Sequence, residues 1–182
     1  MVLTNNELLT FAAIDFETAN GQMDSACAVS VALFNKKEIF KVKTKLIRPP
    51  YKFFTYYHIH GITYEDVKYA QEFPEVWNEL SKLIKEAKLL FAHNARFDRT
   101  VLKECCKRYG IDFPIKKFIC TVKIAREHFK IKPARLDNVC KELDIELKHH
   151  DPESDAKACA NIVIKAIESG YKIYYQPVLF EQ

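Results

Sequence analysis

The sequence predicts an α/β domain in which a mixed sheet is covered by helices. Three short apolar runs crowd into the first 47 residues, and the last two flank the turn-forming Asn35-Lys36-Lys37. After Pro49-Pro50 the pattern changes to short apolar runs alternating with longer stretches at helical spacing. A meander followed by strand and helix alternation needs helices on a mixed sheet to bury its faces. At 182 residues and 48% hydrophobic content, the chain can bury one sizeable core and is too short for two comfortable domains.

Residues 11 to 17 open with the apolar run Phe11 to Ile14 and read as a buried strand; residues 27 to 34 and 38 to 47 follow as strands two and three. A helix is expected over 75 to 87 and a strand over 88 to 92. The helix expected over 95 to 109 carries Phe97, Val101, Leu102, Cys105 and Cys106 at helical spacing, with Asn94 as its N-cap. A short strand near 117 to 120 precedes helices near 121 to 129 and 135 to 143. The helix over 152 to 168 has the clearest boundaries. Asp151 is a good N-cap, Pro152 suits the first helical position, Gly170 marks the end, and Ala156, Cys159, Ala160, Val163 and Ile167 form its apolar stripe.

Four carboxylates and a histidine stand out against this frame. Side chains alternate along a strand, so Asp15 and Glu17 point to the same side. Asp98 falls in the first turn of a helix that leaves a strand end, and Asp155 falls at the edge of an apolar stripe with His150 just before the helix. Alone, an acid in a first helical turn is explained by the helix dipole. Three acidic patterns in one small domain point to a shared site instead.

These segments, FAAIDFETAN, LLFAHNARFDRTVL and HHDPESDAKACA, resemble the three motifs of the DEDD-type 3′-to-5′ exonucleases, in the same order. Asp15 and Glu17 match D-x-E, Asn94 and Asp98 match N-x-x-x-D, and His150 with Asp155 match H-x-x-x-x-D, the form that marks the histidine-bearing DEDDh type. His149 adjoins His150, and the spacing to Asp155 selects His150. The resemblance runs from about Phe11 to about Ile167 and implies an RNase H-like mixed five-stranded sheet flanked by helices.

The chemistry fits these residue types. Phosphodiester hydrolysis builds charge on the attacking and leaving oxygens, and two divalent ions about 3.5 to 4 Å apart stabilise both. Mg²⁺ and Mn²⁺ prefer oxygen donors. The resemblance implies two Mg²⁺ (or Mn²⁺) ions: Asp15 bridging both, Glu17 and Asp155 completing one site, Asp98 holding the other, and His150 acting as general base. An unperturbed pKa near 6.5 suits that base.

The stretch Tyr51 to Thr63 is rich in aromatics, which either cover the sheet edge or offer stacking faces to unpaired bases. Within it, His60-Gly61-Ile62 resembles the loop that lines the terminal-nucleotide pocket in proofreading relatives. His60, Gly61, Ile62, Phe16, Thr18 and Asn94 are therefore expected to contact substrate. Residues 1 to 170 are expected to form the exonuclease domain and 171 to 182 a C-terminal tail. In that tail Q-x-x-L-F resembles a sliding-clamp-binding peptide through Gln176, Leu179 and Phe180; packing back on the domain is the alternative.

The expected substrate is a single-stranded DNA 3′ end, released as nucleoside monophosphates in proofreading or repair. RNA 3′ trimming and a catalytically silent nucleic-acid-binding module are the alternatives. The net charge of +4 agrees with a polyanionic partner, though an ordinary basic protein carries as much. The six cysteines show no C-x-x-C pairing and read as small buried hydrophobes in a reducing compartment. With no membrane-length apolar run and no secretory signal, a cytoplasmic location is expected.

Overall fold

The computed structural model describes residues 9 to 114 and 116 to 173. Its five strands are β1 (Phe11–Thr18), β2 (Ala26–Phe34), β3 (Ile39–Leu46), β4 (Leu90–Ala92) and β5 (Phe118–Cys120). They form one mixed sheet in the order β3-β2-β1-β4-β5. The β1-β2-β3 meander is antiparallel, whereas β4 and β5 run parallel to β1. Among the described residues seven helices accompany them: α1 (Tyr57–His60), α2 (Tyr64–Val67), α3 (Phe73–Glu86), α4 (Arg96–Arg108), α5 (Thr121–Glu127), α6 (Leu136–Glu142) and α7 (Pro152–Glu168).

Period-two alternation along β1 divides the core. Ala12, Ile14 and Phe16 face α3 and α4, where they join Val29, Val31 and Leu33 of β2 and Leu80, Ile84, Val101 and Leu102 of the helices. Phe11 and Ala13 face the other way, with Ala32, Phe34 and Phe91, against Ala156, Cys159, Ala160 and Val163 of α7. The rings of Phe11, Phe34 and Phe91 meet at centroid distances of 5.6, 5.7 and 5.8 Å. Small residues opposite one another, Ala13 with Ala32, let the alanine-rich face of α7 lie close to the sheet. The odd-numbered face of β1 therefore runs Phe11, Ala13, Asp15, Glu17, with α7 above it.

Helix α7 matches its expected limits because its caps are local. Asp151 accepts a hydrogen bond from the Ser154 amide, Pro152 stands in the first turn, and Gly170 beyond the end adopts φ 95°. Elsewhere the structure departs from expectation. Helix α3 begins two residues earlier than expected, with Pro74 in its first turn. The aromatic stretch holds α1 and leads directly into α2, two single-turn helices with no sequence period long enough to announce them. Asn94 is not the cap of α4: Ala95 holds that position, and Asn94 sits in the left-handed region at φ 69°, where the chain turns sharply out of β4. Among the described residues no helix is long and apolar enough to cross a membrane.

Candidate active site

Asp15 and Glu17 stand on the α7 face of β1, in its C-terminal half, and the β1-β2 register shifts between Glu17 and Thr18. Such irregularities re-aim side chains at the end of a strand. Directly above, the first turn of α7 supplies Asp155, and ligand atoms of Asp15, Glu17 and Asp155 all lie within 4.8 Å of one another. Asp98 approaches from α4: its Oδ1 accepts the Phe16 amide at 3.1 Å, linking residues 82 positions apart. The four acids foreseen from sequence are thus brought together.

Their electrostatics are unfavourable without a cation. Asp98 and Asp155 are 1% and 5% exposed, and Asp15 Oδ2 and Asp155 Oδ1 are buried with no hydrogen-bond partner among the described residues. Burial, then Asp98, Asp155 and Glu17, hold the Asp15 carboxyl well above the ordinary carboxylate range. Burial, then Asp155, Asp98 and Asp151, push Glu17 up to about 8. Burial also pushes Asp98 up to about 7, against the pull of the Phe16 amide. Asp155 is raised by burial too, with His149 as the main opposing influence. A buried polar atom left unsatisfied costs about 1 to 3 kcal/mol, so the two orphaned oxygens mark a site built for a ligand. Oxygen donors converging in this way suit a hard divalent ion.

The paired histidines are treated differently. The Asp155 Oδ2 accepts the His150 amide at 3.1 Å and lies 3.3 Å from His149 Nδ1. His150 has φ 65°, and its ring stacks on that of His149 at 3.9 Å. The His149 ring is therefore anchored to the carboxylate, while the ring of His150 makes no hydrogen bond among the described residues. Burial, and then the neighbouring His149, lower the His150 pKa.

A cavity of about 320 Å³ opens beside the acids, lined by Phe16, Thr18, Tyr56, Ile59, His60, His93, Phe97, Leu136, His149 and His150. Phe16 is only 2% exposed and lies mostly in the core. His60 accepts the Ile62 amide on Nδ1 at 3.0 Å, so its proton sits on Nε2, which donates to the Thr18 carbonyl at 3.1 Å. Both ring nitrogens thus hold the loop to β1. Gly61 ends α1 at φ 76° and lines neither this cavity nor its neighbour, whereas Ile62 lines the adjoining cavity with Thr44 and Lys148. Asn94 is exposed and lines a separate cavity across the β4-to-α4 turn. Gln176, Leu179 and Phe180 lie outside the described residues.

Sequence reading missed His93, Tyr56, Ile59, Phe97 and Leu136. His93 bridges Thr121 Oγ1 at 2.8 Å and the Ala134 carbonyl at 3.1 Å, tying the end of β4 to α5 and to the loop that leads into Leu136, the first residue of α6. Burial pushes its pKa down to about 4, so the ring is neutral. Its position directly after the β4 run was the available signal, since ligands gather outside the carboxyl ends of parallel strands.

Fold and site together define a nuclease built on an RNase H-like sheet, with its acids at the end of the central strand. A sequence model of the exonuclease family, RNase T, matches residues 6–163, and the chain belongs to that family. Its motif set is that of the DEDDh-type 3′-to-5′ exonucleases, which generally use divalent metals. The PolC-type DNA polymerase III of Thermotoga maritima is 27% identical over 169 residues, 90% of this chain and 12% of that protein. The corresponding polymerase of Bacillus cereus is 32% identical over 128 residues, 67% of this chain and 9% of that protein. The chain thus spans about an eighth or less of these relatives' length. Among solved structures, the nuclease domain of 3′hExo, a DEDDh family member bound to rAMP, superposes with a TM-score of 0.80 at 20% identity, covering 95% of this chain and 100% of that one. Exonuclease X in complex with 5′ overhanging duplex DNA gives 0.72 at 21% identity, covering 88% and 92%.

Proposed function

We propose that this chain hydrolyses single-stranded DNA from the 3′ end to nucleoside monophosphates, in proofreading or repair. The observation that carries the reading is the convergence of Asp15, Glu17 and Asp155 with two buried, unpartnered carboxyl oxygens. Asp15, Glu17, Asp98 and Asp155 would hold two Mg²⁺ or Mn²⁺ ions, which supply positive charge to the attacking and leaving oxygens of the phosphodiester. Asp98 keeps the end of β1 in place through the Phe16 amide, so it orients the other acids as well. His150, with a lowered pKa and a ring that makes no hydrogen bond among the described residues, takes the proton of the attacking water, while His149 steadies Asp155. Tyr56, Ile59, His60 and Phe97 wall the cavity that receives the terminal nucleotide, and water is displaced from its apolar side.

The sequence relatives are DNA polymerases, which supports DNA over RNA and a cytoplasmic location; the structural neighbours include proteins of both substrates and do not discriminate. A single 2′-hydroxyl contact can decide between them. Matched DNA and RNA oligonucleotides, labelled at the 5′ end and incubated with Mg²⁺, test the proposal: a 3′-shortening ladder on DNA supports it, shortening of RNA alone reverses the substrate, and no shortening of either removes it. In the tail, Gln176, Leu179 and Phe180 are proposed to engage a sliding clamp; deleting residues 176 to 182 should abolish co-elution with a purified clamp and leave oligonucleotide hydrolysis intact.

A further inference from the structure

A basic cavity lies outside the acidic cleft. Across the β4-to-α4 turn, along the edge strand β5, is a cavity of about 720 Å³ whose lining includes Arg96, Arg99, Lys117, Lys123 and Lys172 and, among the described residues, no acidic one. All five cations are exposed, and among the described residues none forms an ion pair. Elsewhere basic side chains are widely neutralised: Lys43 and Lys45 by Glu79, Arg48 by Glu72, Arg108 by Asp24 and Lys157 by Glu153. In a chain of net charge +4, five such cations on one cavity are a local concentration of positive potential.

The walls between the cations are apolar and partly aromatic, with half-buried Phe118, Ile119 and Tyr171. Cations along a groove with aromatic faces between them suit a single-stranded polyphosphate, whose backbone follows the charge while its bases stack. The cavity also adjoins the cleft. His93 lines the acidic cleft and Asn94, the next residue, lines the basic cavity, and neighbouring Cα atoms are about 3.8 Å apart.

We propose that this cavity is a second binding site for the nucleic acid, holding the phosphate backbone of a single strand 5′ to the end that occupies the cleft. The placement of that end rests on the exonuclease reading; the affinity for a polyanion does not. The site sets how much of the strand is gripped beyond the terminal nucleotides, and so how affinity grows with length.

The test compares wild type with the variant Arg99→Gln/Lys117→Gln/Lys123→Gln in metal-free anisotropy titrations of a fluorescein-labelled 20-mer and a 4-mer of oligothymidylate, from 50 to 200 mM KCl. The 20-mer Kd should rise about tenfold or more and its logarithmic salt slope should fall by about 2, close to 0.7 for each of three phosphates released. Binding of the 4-mer, and hydrolysis of thymidine 5′-monophosphate p-nitrophenyl ester with Mg²⁺, should be unchanged. An unaltered 20-mer affinity and slope would overturn the proposal, as would an equal loss for both lengths, which would place the cations at the cleft. A wild type inert towards ester and oligonucleotide alike refutes the exonuclease reading, while the anisotropy comparison still decides this one. Lys123→Glu alone, at an exposed position, gives the same comparison if the triple variant does not fold.

Discussion

The acidic cleft and the basic cavity meet at one turn, yet they handle charge in opposite ways. In the cleft, like charges from β1 and α7 are driven within 4.8 Å of one another, and Asp98 of α4 is buried beside them against the Phe16 amide. Around the basic cavity, like charges from α4, α5 and the flanks of β5 remain exposed and spread over its wall. Buried convergence is costly in the empty state and rewards a small, hard cation. Exposed, dispersed charge costs little, is weakened by salt, and suits an extended polyanion. One region should thus answer sharply to single substitutions and to divalent ions, the other gradually to ionic strength.

The largest expected effect breaks the cleft. Asp15→Asn or Asp155→Asn removes charge from the donor set and should cost about 10³-fold or more in turnover with Mg²⁺, several kcal/mol of transition-state stabilisation. The metal-free variant should melt at the same temperature as wild type or higher, because mutual repulsion is relieved; retained turnover would disprove the ligand assignment. Next, His150→Ala should lose about 10² to 10⁴ in rate, the usual span for a general base, and His149→Ala considerably less. A reversed order in a single-turnover assay would exchange their roles.

A third, smaller effect is the pH dependence of the empty protein. Folding raises Glu17 to about 8 and Asp98 to about 7, so the folded state holds protons that the unfolded chain, with ordinary carboxylate values near 4, releases. Their contribution favours the fold below pH about 4 and is lost as pH rises through about 7 to 8. Without metal the melting temperature should fall between pH 5 and 8, by about 2 to 4 °C for each kcal/mol lost. Mg²⁺ at a hundredfold excess over its Kd should restore about 2.7 kcal/mol; a flat metal-free profile would show that the acids are not strained. The smallest effect sharpens the contrast from the exposed side. The Lys157–Glu153 pair on α7 is an i,i+4 surface contact, and Lys157→Ala should change stability by no more than about 0.5 kcal/mol in urea titration.

What could be read from the chain was what short segments decide for themselves. Helix α7 carries its own cap, first-turn proline and terminating glycine, so both limits were legible. Asp15 and Glu17 followed from strand alternation, and Asp98 and Asp155 from helix starts. Legibility failed where distant segments decide. His93 and Leu136 join the cleft through the bond of His93 to Ala134, 41 positions away. Asn94 looked like a cap, yet the exit from β4 places it in a left-handed turn that points to the neighbouring cavity. Of the two single-turn helices in and after the aromatic stretch, α1 buries no residue, and α2 is held by the packing of its Val67 and Tyr64 with Ala19 and Cys27.

The contact between the Phe16 amide and Asp98 also bears on how the protein comes into being. A chain made from its N-terminus produces β1, with Asp15 and Glu17 already in place along it, long before the residues that complete the cluster. Asp98 arrives after most of the sheet, and Asp155 only with α7. Closing such long loops is the slow part of assembly. A nascent or clipped chain lacking α7 therefore carries three of the four acids, Asp15, Glu17 and Asp98, without the Asp155 that closes the cluster, so hydrolysis is expected to report a chain that has folded through α7.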